Sequence, residues 1–369
     1  MKKLVLLFFS TVLLWGCTDN GPSGSEVQDF DRQAILENWA DNIILPAFEN
    51  FAAETESLKE AANDFTTSPN EQTLNDFREQ WLASYKAWQH VSMFEMGRAM
   101  EIRYRDNINL YPTDTSLILE NIETNTYNFE LPSQNAAQGL PALDFVLYGL
   151  GENDQSILSF YTTDEDAEAY KNYVTDLAIR IDSLTDEVLE YWQNVYRDEF
   201  VSDSGNGANS SLNMMVNDYI FYYEKALRAG KIGIPAGVFS GSPLSDRVEA
   251  YYSGEYSKEL FLESLDAAQN FFNGTHFGSE QKGESLSSYL EFLETTKDGE
   301  SLETLINIQF ETARQEAQSL NNNLSEQVET DNNQMLVTYD ELQKNVVFMK
   351  VDMLQALNIS VDYVDADGD

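Results

Sequence analysis

The side chains best suited to bond-making chemistry are scarce in this chain. It holds two histidines, His90 and His276, and one cysteine, Cys17. A catalytic zinc needs three protein ligands, usually with histidine among them. Neither histidine belongs to a His-x-x-Glu or HExxH pattern. His90 follows Trp88 on an aromatic helical stretch and reads as a packed or partly exposed side chain. His276 lies between Gly274 and Gly278 and reads as an exposed loop residue. No Gly-x-Ser-x-Gly elbow, P-loop or Gly-x-Gly-x-x-Gly turn occurs. Carboxylates are abundant, but no spacing singles out a pair for acid–base work. The residues therefore assign no catalytic group and no metal site, and zinc is disfavoured.

Binding chemistry has better candidates. Gly139-Leu140-Pro141-Ala142 and Gly233-Ile234-Pro235-Ala236 share a Gly-apolar-Pro-Ala pattern and interrupt the helical periodicity around them. Glycine permits close backbone approach, and proline is tolerated in the first turn of a helix. The first segment therefore reads as a helix start or kink. Asp144 follows Pro141 by three residues, on the same helical face. Arg228 and Lys231 are two cations in a chain that has few, with Tyr222 and Tyr223 nearby. Gly139, Pro141, Asp144, Tyr222, Arg228, Lys231 and Pro235 are the expected pocket residues. For Arg228 the structural alternative is a buried carboxylate pair that holds helices in register. Glu95 and Arg98 read as an exposed or intrahelical pair. The Met93-Met96-Met100 spacing fits core filling better than a soft-metal site.

Helices must position these residues. Tyr170, Val174, Leu177, Ile181, Leu184, Val188, Tyr191 and Val195 recur in steps of four and three, the seam of a bundle helix. Met335 to Ala356, Leu302 to Leu320 and Leu74 to Ser92 repeat the pattern. No comparable stretch alternates with period two, so the expectation is all-α. Ser68-Pro69-Asn70 ends one helix, with Asn70 a candidate cap for the next. Pro46 should kink or split the first helical pattern. Residues 106–132 read as a long polar connection of the kind that packs against a site. Gly205 and Gly207 within residues 202–209 mark the clearest boundary. The expected organisation is two helical bundles packed side by side, 29–200 and 210–358, before an acidic tail, 359–369. The Asp-x-Asp-Gly of that tail lacks the distal glutamate of a calcium loop.

Lys2 and Lys3 precede an apolar run, Leu4 to Leu14, too short to span a bilayer, and then Trp15-Gly16-Cys17. This is the layout of a signal peptide, residues 1–17, ending at a lipobox cysteine, with residues 18–28 as a flexible tether. A lone cysteine forms no intramolecular disulfide, and lipidation of Cys17 gives it a role. The net charge is −41, from 22 basic and 63 acidic residues. Such a field excludes nucleic acid as a partner. It suits a small cationic ligand or metal, or simply a well-solvated surface. Membrane contact is then expected only through the lipid anchor.

With those residues in view, the chain resembles the imelysin family. That family carries Gly-x-His-x-x-Glu in the segment corresponding to Gly139–Asp144. Here Gly139 is kept, Pro141 stands at the histidine position and Asp144 at the glutamate position. Trp81, Trp88 and Tyr111-Pro112-Thr113-Asp114 look like the family's first bundle and long loop. Arg228 to Gly237 and Val361 to Asp369 look like Bacteroidetes-type imelysin-like lipoproteins. The resemblance implies two helical bundles with a pocket between them, and a link to iron or haem acquisition. The cofactor stays unknown, with iron or haem as candidates. The expected function is a non-catalytic binding lipoprotein of the envelope, anchored to the outer membrane. A metal-dependent peptidase using other ligands, and a surface module that meets an envelope protein partner, are the alternatives.

Overall fold

The computed structural model describes residues 30–363. The signal peptide, Cys17, the tether and residues 364–369 lie outside the described residues. The fold is all-α; its strands are a two-residue hairpin, Thr296–Lys297 with Glu300–Ser301. The principal helices are α1 (Arg32–Asn38), α2 (Leu45–Thr67), α3 (Glu71–Val91), α4 (Ala167–Tyr191), α5 (Ser211–Phe221), α6 (Ser257–Phe272), α7 (Leu302–Gln318) and α8 (Leu324–Val347).

The apolar seams are buried as their spacing predicts, except at the end of α4, where a π-helical stretch, Trp192–Tyr196, buries Trp192 and leaves Val195 exposed. Leu74, Phe77, Trp81, Tyr85, Trp88 and Ser92 are all buried, as are Leu302, Ile306, Phe310, Ala313, Ala317 and Leu320. Asn70 caps α3 in a capping box: its side chain accepts from the Gln72 and Thr73 amides at 3.0 and 3.2 Å, and Thr73 Oγ1 accepts from the Asn70 amide at 3.1 Å. Such a cap contributes about 1 kcal/mol. Pro46 sits in the first turn of α2, directly after a π-helical stretch, Trp39–Ile44, that joins α1 to α2. The wider turn absorbs the proline that an unbroken α-helix would not accept.

α2 packs on α3 and α4, and α7 packs on α8. Helices before and after the 202–209 boundary also touch directly. α6 lies along α3. Trp39 stacks on Phe271 at 4.7 Å, Asn38 Nδ2 donates to Gly274 O at 3.1 Å, and His90 Nε2 meets Glu263 Oε1 at 2.7 Å.

Two sequence expectations change. Residues 106–132 are not simply a loop: Thr115–Thr124 is a helix whose Asp114 cap accepts from the Leu117 amide at 3.1 Å. Its buried residues, Ile118, Asn121 and Ile122, offer only one short apolar step, too few to mark a helix by periodicity. Glu95 does not pair with Arg98. α3 has already ended at Val91, so the two share no helix; Arg98 pairs with Glu187 and Glu101, while Glu95 accepts from the Arg105 amide at 3.0 Å. Met93 and Met96 are buried in the core, whereas Met100 is exposed, so core filling accounts for two of the three.

Candidate functional site

Two adjoining cavities open where residues of α3, the 105–115 segment and the 221–252 stretch meet. The first has a volume of about 450 Å³, and its wall includes Trp88, Arg105, Tyr222, Lys225, Lys231 and Ile234. The second, about 500 Å³, is walled by Asp114, Pro141, Asp144, Val248, Tyr251 and Tyr252 among others. Tyr111, Pro112 and Arg247 line both. The long connection therefore does pack against a site, through Tyr111 and Pro112.

Local backbone explains how the second cavity is built. Gly139 has φ +78°, and a Cβ there would lie 2.3 Å from the Ile108 carbonyl oxygen. Only glycine fits this approach. Gly139–Asp144 then forms a buried helical turn that widens into a π-helical stretch, Phe145–Gly149. Trp81 Nε1 donates to the Leu140 carbonyl at 3.0 Å and fixes the turn against α3. Pro141 stands in the cavity wall and brings no donor or ligand atom. Asp144 is buried, and its two oxygens accept from the Tyr252 and Ser253 amides at 2.8 and 2.9 Å. Burial pushes its carboxyl up to about 7, against the pull of those amides.

The first cavity depends on an unusual run. Tyr222–Gly233 is π-helical for twelve residues, continuing directly from α5. π-Helical turns are commonly short and associated with functional sites. This one brings Tyr222, Lys225, Ala226, Gly230 and Lys231 into one wall. Lys231 is buried: its Nζ donates to Gln89 Oε1 at 2.9 Å and pairs with Glu249. Asn109 Nδ2 donates to the other Glu249 oxygen at 2.7 Å, and Tyr85 OH donates to Asn109 Oδ1 at 2.5 Å. The Lys231 ammonium is held below the usual lysine range by burial, with Glu249 opposing. A pair this deep is retained only because neighbouring groups complete its hydrogen bonds. Arg105 closes another side. Its Nε donates to Ser92 O at 2.8 Å and its guanidinium reaches Asp218 at 3.3 Å. Burial raises the Tyr222 hydroxyl to about 12.

The expected pocket residues thus fall into three groups. Pro141 and Asp144 line the second cavity, with Gly139 shaping the turn that carries them. Tyr222 and Lys231 line the first; Pro235 is buried but lines neither cavity. Arg228 stands apart. It is buried against α8, donating to Tyr339 OH at 2.8 Å and to Gln343, with Glu224 at 3.8 Å. It belongs to a second-half network in which Glu224 also meets Lys225, Lys350 and Tyr363. Gln89, Arg105, Asn109, Arg247 and Glu249 were not foreseen. They carry no motif; the long connection was the only sequence signal near them. Among the described residues no group of three or more His, Cys, Asp or Glu side chains is arranged to hold a metal ion.

The Imelysin family model, peptidase M75, matches residues 44–347. The chain belongs to the imelysin family. Among solved structures, it is similar to an imelysin-like protein from Psychrobacter arcticum at 17% identity and a TM-score of 0.70, covering 91% of this chain and 99% of that one. It is also similar to a protein from Parabacteroides distasonis named "putative iron-regulated protein A precursor", at 17% identity and a TM-score of 0.71, covering 90% and 97%. At that identity the likeness establishes the imelysin fold. No curated protein matches the chain at a significant level. At the family segment's histidine position Pro141 has no ligating side-chain atom, and each Asp144 oxygen accepts one backbone amide.

Proposed function

We propose that this imelysin-family chain is a non-catalytic binding protein, exported and held at the cell envelope by a lipid on Cys17. Its ligand enters the paired cavities beside Asp144 and Lys231. The observation that carries this reading is Pro141 at the family segment's histidine position, which brings no side-chain ligand atom to the cavity that Asp144 lines. Asp144 accepts the Tyr252 and Ser253 amides, which ties it to the fold. The volume beside it is of ligand size. Service in iron or haem acquisition is the expected setting, supported by the name of the Parabacteroides protein. No helix among the described residues is long and apolar enough to cross a membrane.

Calorimetric titration of the purified protein with ferric citrate, haem and zinc chloride tests the reading. Saturable binding of an iron compound, with zinc inert, supports it. Hydrolysis of unfolded casein that a chelator abolishes would return the chain to the peptidases. Anchoring is tested separately: Cys17→Ser should move the protein from the membrane fraction to the soluble envelope fraction.

A further inference from the structure

We propose that the cavity walled by Trp88, Tyr222 and Lys231 takes a small organic anion, an apolar planar body that carries a carboxylate or similar oxyanion. This rests on the binding-protein reading above and sharpens its ligand class. The chain as a whole is acidic, with 63 acidic against 22 basic residues. Around this one cavity the balance inverts. Arg105, Lys225, Lys231 and Arg247 contribute to the wall, and Asp106 is the one carboxylate residue among the lining side chains. Asp106 is turned to Arg103, 2.6 Å away.

Each of the four cations has a carboxylate of its own: Asp218 for Arg105, Glu224 for Lys225, Glu249 for Lys231, and Asp246 for Arg247 at 3.5 Å. None of those carboxylates lines this cavity. Those carboxylates stand outside the lining, and their pairing offsets the cost of keeping the cations in a sheltered site.

Tyr222 lines the same cavity, with its hydroxyl buried beside Ser92 and Ser264. Trp88, Phe221 and Ile234 supply apolar wall for the rest of the molecule. The inference reverses the sign suggested by net charge: the global field is anionic, but the sheltered site is lined for an anion.

The test compares three probes of one shape by titration with the purified protein: 1-naphthoate, neutral 1-naphthamide and cationic 1-naphthylmethylammonium, with citrate as a second anion. At least one anion should bind saturably, and naphthoate should bind ten-fold or more tightly than its amide and ammonium counterparts. Arg105→Met should weaken anion binding at least ten-fold. Arg247→Met, which removes the more exposed wall cation, should weaken it about three-fold, and unchanged circular dichroism confirms that both variants fold. Failure of both anions to bind overturns the proposal, as does equal or tighter binding of the amide or ammonium, or indifference to Arg105→Met. Tighter binding of the amide or ammonium defeats the anion assignment alone and leaves the binding-protein reading standing; chelator-sensitive casein hydrolysis defeats that reading itself.

Discussion

The two Gly-apolar-Pro-Ala segments share three of their four residues and take opposite structural roles. Gly139–Ala142 opens a helix. Its glycine adopts φ +78° against the Ile108 backbone, and the turn leads into buried Asp144. Gly233–Ala236 closes one. It ends the long π-helical stretch, and the positive φ comes later, at Gly237 with +81°. A Cβ on Gly233 would meet the Tyr339 ring at 2.7 Å and Phe239 at 3.0 Å, which are side chains and not backbone. The difference teaches that a short shared pattern marks where a helix is interrupted. What surrounds it decides whether it starts or stops one.

That contrast can be broken or sharpened by substitution. Gly139→Ala should be the most damaging, by about 3 kcal/mol or more, since it combines a left-handed backbone with overlap on a carbonyl that cannot swing aside. Urea denaturation measures it, and a loss under 1 kcal/mol would show that the Ile108 segment yields. Asp144→Ala should cost about 2–4 kcal/mol by stranding the Tyr252 and Ser253 amides. If it instead leaves stability intact, the cavity admits water to those amides and the structural role given to Asp144 is wrong. Gly233→Ala should cost only about 1–2 kcal/mol, because aromatic side chains can shift where backbone cannot. A Gly233 effect equal to that of Gly139 would erase the contrast.

The smallest effect is a slope with pH. Burial raises the Glu95 carboxyl to about 7. The folded chain then holds a proton that the unfolded chain releases above its ordinary value of 4.5. The resulting stabilisation is complete below that value and is lost as pH rises through 7. The unfolding free energy of wild type minus that of Glu95→Gln should therefore decline between pH 4.5 and 7, read from urea midpoints at each pH. A difference that is flat or that rises would place Glu95 in a solvated or cation-stabilised setting.

Much of the fold was legible because amphipathic helices write their buried face into the sequence. The seams of α3, α7 and α8 were named by spacing, and Asn70 was named as a cap. Pro46 was expected to kink or split the first helical pattern, and it stands where a π-helical stretch passes into α2 without a gap. The site was legible only in pieces. Pro141, Asp144, Tyr222 and Lys231 do line cavities, because breaks in helical pattern and rare cations mark places where ordinary packing gives way. Arg228, chosen on the same grounds as Lys231 and three residues before it, points to α8 instead. In a π-helical stretch the residue-to-residue rotation differs from that of an α-helix, so spacing read at 3.6 residues per turn misassigns faces there.

The sequence by itself determined the all-α class, the helix faces and the absence of the His-x-x-Glu pattern, since each is a property of residues near one another in the chain. Only the tertiary structure decided the sign of the cavity. Arg105, Lys231, Arg247 and their carboxylates come from distant segments: Arg105 and its partner Asp218 are 113 residues apart. Net charge sums every group equally, whereas a ligand meets only those that packing turns inward.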